Sequence, residues 1–221
     1  MIRAKLPPAA VIFDCDGVIV DSEEITFDLL ADEFATHGLP LDRAEVARDY
    51  IGGTMADVAN RARAAGAALP ADWVDRFYSR LYARLAQGTP LIAGVLEVLD
   101  ALDAAGIPYA IGSNGSDQKM QVTLGQHPGL IPRFRGHLYS GQTLGAPKPA
   151  PDLYLHAARA LGVSPASCIV IEDSPTGARA ARAAGMACLG YAAHTPAGRL
   201  EQEGAMPFTA MADLPALLGL A

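Results

Sequence analysis

Hydrophobic positions follow two rhythms along this chain. Short, unbroken apolar runs of the kind a strand buried on both faces requires occur at five places. They are Ala10–Asp14, Pro108–Ser113, His137–Gly141, Cys168–Asp173 and Ala187–Tyr191. Between them lie stretches predicted as helices over Ala93–Ala105, Pro149–Leu161 and Pro175–Ala184, followed by Gly106, Gly162 and Gly185. Glycine just past a helix supplies the left-handed residue that ends it. Strands alternating with helices of this size predict an α/β fold, a doubly wound parallel sheet with right-handed crossovers.

Residues 23–88 interrupt the alternation, with no strand pattern among them. Ile25, Leu29, Leu30 and Phe34 form a helical stripe, and Met55–Ala65 and Trp73–Leu85 are predicted as two further helices. Gly38-Leu39-Pro40 and Gly88-Thr89-Pro90 punctuate the segment. So many helices without a strand are hard to place in one crossover against the sheet. The expectation is a small all-helical domain, residues 23–88, inserted after strand 1 into a core formed by residues 1–22 and 89–221.

The composition narrows the function classes. A net charge of −7 over 221 residues, with no basic cluster interleaved with aromatics, argues against nucleic acid and anionic membranes as partners. No apolar run approaches membrane length, and the segment Met1 to Pro8 is too short and proline-broken for a signal peptide. Cys15, Cys168 and Cys188 lack metal-knuckle spacing and sit in apolar segments, so they are expected to be reduced core thiols of a cytoplasmic protein. A monomer is the default expectation for a chain of this size.

The chemistry gathers at the predicted strand ends. The first apolar run drives into Asp14-Cys15-Asp16-Gly17. Two acids one residue apart repel each other and lose solvation on burial, unless a cation or charged substrate waits there. On these residues alone a solvated acidic loop accounts for the pattern equally well. The second run ends at Ser113-Asn114-Gly115, the third is followed by Lys148 between Pro147 and Pro149, and the fourth ends at Glu172-Asp173. Each has a bland counterpart: a common turn, a solvated lysine, an acidic helix start. In a doubly wound sheet, however, ligands bind beyond the carboxyl ends of the strands, so the four sets would meet at one edge. Together they describe a site for phosphate and a hard cation such as Mg²⁺. Asp14 and Asp173 would be ligands with Glu172 as a further acid, and Ser113 and Lys148 would hold phosphate oxygens.

The motifs Phe13-Asp14-Cys15-Asp16-Gly17-Val18, Ser113-Asn114, Lys148-Pro149 and Val170-Ile171-Glu172-Asp173 resemble those of the haloacid dehalogenase-like hydrolase superfamily. The resemblance spans nearly the whole chain. It implies a Rossmann-like core, a helical cap that selects the substrate, and phosphoryl transfer through an aspartyl-phosphate. Asp14 would be the nucleophile and Asp16 the acid and then the base, with the Asp16 backbone carbonyl also facing the metal. Ser113, Asn114 and Lys148 would bind the phosphoryl group, and Gly52, Gly53 and Thr54 would face the substrate. Arg48, Arg61 and Arg63 are either further anion contacts or solvated helix positions.

Departures from relatives narrow the reaction. The presence of Asp16 disfavours dehalogenation. The insert contains no lysine, since the chain's lysines are Lys5, Lys119 and Lys148, which excludes a Schiff-base mechanism there. Met55 and Thr26 stand where β-phosphoglucomutases carry an arginine and a histidine. The expected function is a Mg²⁺-dependent phosphatase of a small phosphorylated metabolite. A sugar phosphate is the expected class, and Ser113-Asn114-Gly115 with Lys119-Met120 resembles 6-phosphogluconate phosphatases. A phosphosugar mutase and a catalytically silent binding protein are the alternatives.

Overall fold

The computed structural model describes residues 6–50 and 54–220. Strands β1 (Ala10–Phe13), β2 (Tyr109–Ser113), β3 (Leu138–Ser140), β4 (Cys168–Glu172), β5 (Ala187–Tyr191) and β6 (Met206–Phe208) form one parallel sheet in the order β3-β2-β1-β4-β5-β6. The helices are α1 (Glu23–Thr36), α2 (Arg43–Tyr50), α3 (Met55–Ala64), α4 (Trp73–Leu85), α5 (Val95–Ala104), α6 (Asp117–Leu124), α7 (Leu130–Arg133), α8 (Asp152–Ala160), α9 (Pro175–Ala183), α10 (Ala197–Gln202) and α11 (Leu214–Leu217). None among the described residues is long and apolar enough to cross a membrane.

The chain divides into two compact units, one made of residues 1–21 and 90–221 and the other of residues 22–89. In the first, alternate strand residues feed two cores. Val11, Phe13, Ile111, Ile169 and Ile171 pack with Val98, Leu99 and Leu102 of α5 and with Met120 and Leu124 of α6. Ala10, Ile12, Ala110 and Val170 pack with Tyr154, Ala157 and Ala158 of α8 and with Ala178, Ala180 and Ala181 of α9. Burial on both faces is why these strands read as continuous apolar runs. The alanine bias belongs to the second face, where small side chains let α8 and α9 lie close to the sheet.

The second unit holds α1 to α4 around an aromatic stack. Phe34 lies 4.9 Å from Tyr50 and 6.1 Å from Trp73, whose centroid is 5.0 Å from that of Phe77. Glu33, 5% exposed, accepts from Trp73 Nε1 at 3.0 Å and pairs with Arg80, so the buried carboxylate is satisfied.

Several elements lie outside the sequence pattern. Strand β6 is three residues long, carries Pro207 and is an edge strand, where a missing N–H is tolerated. Helix α2 buries only Val46 and Tyr50 and shows almost no apolar stripe. Helix α8 starts at Asp152 rather than Pro149, because Pro149 and Pro151 keep the residues before them out of helical backbone. Strand β1 ends at Phe13, leaving Asp14 as the first residue past it.

Thr54 starts α3 in a capping box. Its hydroxyl accepts from Asp57 N–H at 3.2 Å, and Asp57 Oδ2 accepts from Thr54 N–H at 2.9 Å. Thr54→Ala is expected to cost about 1 kcal/mol in urea unfolding, and Thr54→Ser to restore most of it.

Candidate active site

Parallel register brings the polar strand ends together. Phe13 pairs with Ile111 on one side and Ile171 on the other, so Asp14 sits level with Glu172 on β4. Asp14 N–H donates to the Ile171 carbonyl at 2.9 Å, which carries the ladder one residue past β1 and fixes the acid's backbone. The chain then turns tightly, with Gly17 N–H on the Val20 carbonyl at 2.8 Å and Val20 N–H on the Cys15 carbonyl at 3.0 Å. Gly17 has φ +74°, and a Cβ there would lie 2.1 Å from Asp173 Oδ2. This position therefore demands glycine twice over, for backbone conformation and for space.

Lys148 ties the acids together. Its Nζ donates to Asp14 Oδ1 at 2.7 Å and to Glu172 Oε1 at 2.6 Å, and it lies 5.0 Å from the Tyr154 ring centroid. Its side chain is 3% exposed. The backbone of Lys148 is gripped by Asn114, whose Oδ1 accepts from Lys148 N–H at 2.8 Å and whose Nδ2 donates to the Lys148 carbonyl at 3.1 Å. The Asn114 amide thus holds the lysine loop. Ser113 is buried, and its Oγ accepts from Gly115 N–H at 2.9 Å, leaving the hydroxyl hydrogen to donate.

Glu172 is fully buried, and both of its oxygens are engaged. Tyr154 OH donates to Oε1 at 2.8 Å alongside Lys148, while Oε2 accepts from Asp173 N–H at 3.1 Å, Ser174 N–H at 2.9 Å and Ser174 Oγ at 2.8 Å. Asp14, Glu172 and Asp173 each offer a carboxylate oxygen within 4.8 Å of the others, a hard-oxygen cluster suited to a divalent cation. Of the three, Glu172 has both oxygens engaged by donors.

The electrostatics are uneven. Burial pushes Asp14 up to about 7 against the pull of Lys148, with Glu172 and Asp16 adding to the rise. Burial also works to raise Glu172, yet Lys148 and the hydrogen bonds from Ser174 and Tyr154 hold it below the ordinary carboxylate range. Desolvation works to lower Lys148, but Asp14 and Glu172 outweigh it and hold the ammonium above its usual value. Cys15 is buried and free, and burial with the two flanking aspartates pushes its thiol well up, which makes it unreactive.

Asp16, half-buried, is ion-paired with Lys119 Nζ at 2.8 Å. Sequence pattern alone leaves Lys119, Tyr154 and Ser140 outside the site. Ser140 Oγ donates to the Gly115 carbonyl at 2.7 Å and braces the Ser113 loop. For Lys119 a signal exists: Ser116 caps α6 by accepting from Lys119 N–H at 3.1 Å, which puts the lysine in a first helical turn beyond β2. Nothing in the sequence marks Tyr154.

Gly52 and Gly53 lie outside the described residues. Thr54 is taken up by its helix cap. Arg48 pairs with Asp49, Arg61 donates to the Asp49 and Tyr50 carbonyls, and Arg63 donates to the Leu69 and Pro70 carbonyls.

Two outcomes test this geometry. A Cβ at Gly177 would sit 1.6 Å from Glu172 Oε1, so Gly177→Ala must displace a buried, ion-paired carboxylate. The expected loss is about 3–5 kcal/mol in urea unfolding, whereas Gly198→Ala, in open space on α10, is expected to be neutral or slightly stabilising. The second outcome is a pH dependence. Asp14 titrates near 7 in the folded protein against an ordinary value of 3.8, so between about 4 and 7 the native state holds a proton the unfolded chain has lost. Metal-free protein should therefore lose stability as pH rises through that window. Thermal melts in chelator should show this slope for wild type and a flatter one for Asp14→Asn.

Known proteins resemble this chain. Residues 8–185 match the model of the haloacid dehalogenase-like hydrolase family. The chain is 31% identical over 210 residues to 6-phosphogluconate phosphatase of Escherichia coli K12, covering 94% of this chain and 93% of that protein. It is 31% identical to hexitol phosphatase A of the same organism, covering 84% and 83%. Among solved structures, a HAD family hydrolase from Deinococcus radiodurans R1 with bound phosphate and sodium superposes with a TM-score of 0.82 at 38% identity, covering 98% of both chains. The chain belongs to the haloacid dehalogenase-like hydrolases.

Proposed function

We propose that this protein is a Mg²⁺-dependent phosphatase of small phosphorylated metabolites, working through a phosphoryl-aspartate at Asp14, with sugar phosphates as the substrate class. The observation that carries the proposal is the Asp14–Lys148–Glu172 chain of ion pairs beside Asp173, a nucleophile and a phosphate-neutralising cation held at one sheet edge. The phosphatases of E. coli and the phosphate-bound Deinococcus protein support the substrate class.

In this mechanism an Asp14 carboxylate oxygen attacks phosphorus in line, forming an O–P bond as the ester P–O bond breaks. Asp16 gives the leaving oxygen its proton, then removes one from the water that releases phosphate from Asp14. The Ser113 hydroxyl donates to a phosphoryl oxygen, and the Lys148 ammonium offsets the charge that shifts onto the equatorial oxygens. Asp14 and Asp173, with the Asp16 backbone carbonyl, would hold Mg²⁺, which polarises the phosphoryl group when bound. Glu172 anchors Lys148 from behind.

Phosphate release from 4-nitrophenyl phosphate and a panel of sugar phosphates tests the proposal. Wild type should turn over with Mg²⁺ and stop in excess chelator. Asp14→Asn should fall to background, and Asp16→Asn should lose about 10²–10⁴-fold. Unchanged turnover in Asp14→Asn overturns the mechanism.

A further inference from the structure

We infer that Lys119 is a specificity-determining residue that selects phosphate esters carrying a second anionic group, a carboxylate, on the leaving side. The inference rests on the phosphatase mechanism proposed above and deepens its substrate class.

Lys119 reaches Asp16 from the first turn of α6, with Nζ 2.8 Å from Asp16 Oδ1. Gly115 lies beside the pair: a Cβ placed there would be 3.2 Å from Ser113 Oγ, 3.4 Å from Lys119 Cδ and 3.5 Å from Asp16 Oδ2. Ser113, Asp16 and Lys119 therefore border one small space. Lys148 is already fixed on Asp14 and Glu172, so the phosphoryl side has its own cation. Lys119 stands instead on the side of Asp16, where the leaving group departs.

The Lys119 side chain is 15% exposed. When Asp16 turns to the leaving oxygen, it withdraws as the counter-ion of an ammonium that has little access to water. An ammonium left unpaired there is costly, and an anion supplied by the substrate removes the cost. A carboxylate on the leaving group does this, whereas a neutral alcohol does not. Discrimination of this kind comes from the buried polar group a wrong substrate leaves unpaired.

The test compares matched pairs that differ only in a carboxylate replaced by CH₂OH: 3-phosphoglycerate with glycerol 3-phosphate, and 6-phosphogluconate with glucitol 6-phosphate. A charged hydrogen bond corresponds to about ten- to a hundredfold in kcat/KM. Wild type should favour the acid by at least about tenfold in one pair. In Lys119→Met the acid-to-alditol ratio should fall to near one, the loss appearing in KM for the acid, and Lys119→Arg should retain the preference. A wild-type ratio near one in both pairs overturns the inference whatever the variants do. So does an unchanged ratio in Lys119→Met, which would mean that Lys119 serves Asp16 or the phosphoryl group alone. Turnover of 4-nitrophenyl phosphate by wild type separates the two levels. If it is present while the acid preference is absent, only the role of Lys119 fails; if no ester is hydrolysed, the phosphatase mechanism itself fails.

Discussion

The structure depends on one buried ammonium. Lys148 is held between Asp14 and Glu172, and through them it binds the ends of β1 and β4 to the loop that follows β3. A charge with a side chain 3% exposed has lost nearly all of its water. Removing Lys148 would leave two carboxylates buried without their cation, so both acids depend on it. The neighbouring features serve this trio. Tyr154 places a ring beside Lys148 and a hydroxyl on Glu172, Asn114 grips the lysine backbone, and Ser174 fills the far oxygen of Glu172.

That density explains the glycines of the site better than flexibility does. Gly17 presses on Asp173, Gly177 on Glu172, and Gly141 on Asn114 and Pro147, each at a distance no side chain can occupy. The acids are packed against backbone, which preorganises them and excludes water from their inner sides. The cost is a desolvated setting in which burial, with Glu172 and Asp16 adding to it, makes Asp14 resist ionisation. A divalent cation beside Asp14 would offset that cost.

Two lysines at this edge differ in their setting. Lys148 is locked by two carboxylates and a ring. Lys119 is ion-paired with Asp16 and is the more exposed of the two. The helical unit has its own aromatic core and its own buried carboxylate, Glu33, so it is a separately packed body inserted into the chain between residues 21 and 90.

Much of this was legible in the amino-acid order. The doubly wound sheet follows from two-sided burial, since a strand covered by helices on both faces must be apolar throughout, and Ala10–Phe13 and Cys168–Glu172 are. Asp14, Ser113, Lys148 and Asp173 were legible because polar residues at the ends of apolar runs have one place to go in such a sheet. Strand β6 and helix α2 were not, because a short edge strand and a polar helix leave no periodic signal. Tertiary structure alone decided the partnerships. It took Asn114 for the Lys148 backbone, filled both oxygens of Glu172, and set Lys119 on Asp16 and Tyr154 on Glu172. Asn114 and Lys148 are 34 positions apart and Tyr154 and Glu172 are 18, and the geometry that joins them follows from sheet register and helix placement. Local sequence encodes which residues reach the edge of the sheet, but the low-dielectric packing there determines which charges pair, and so what each one is left free to do.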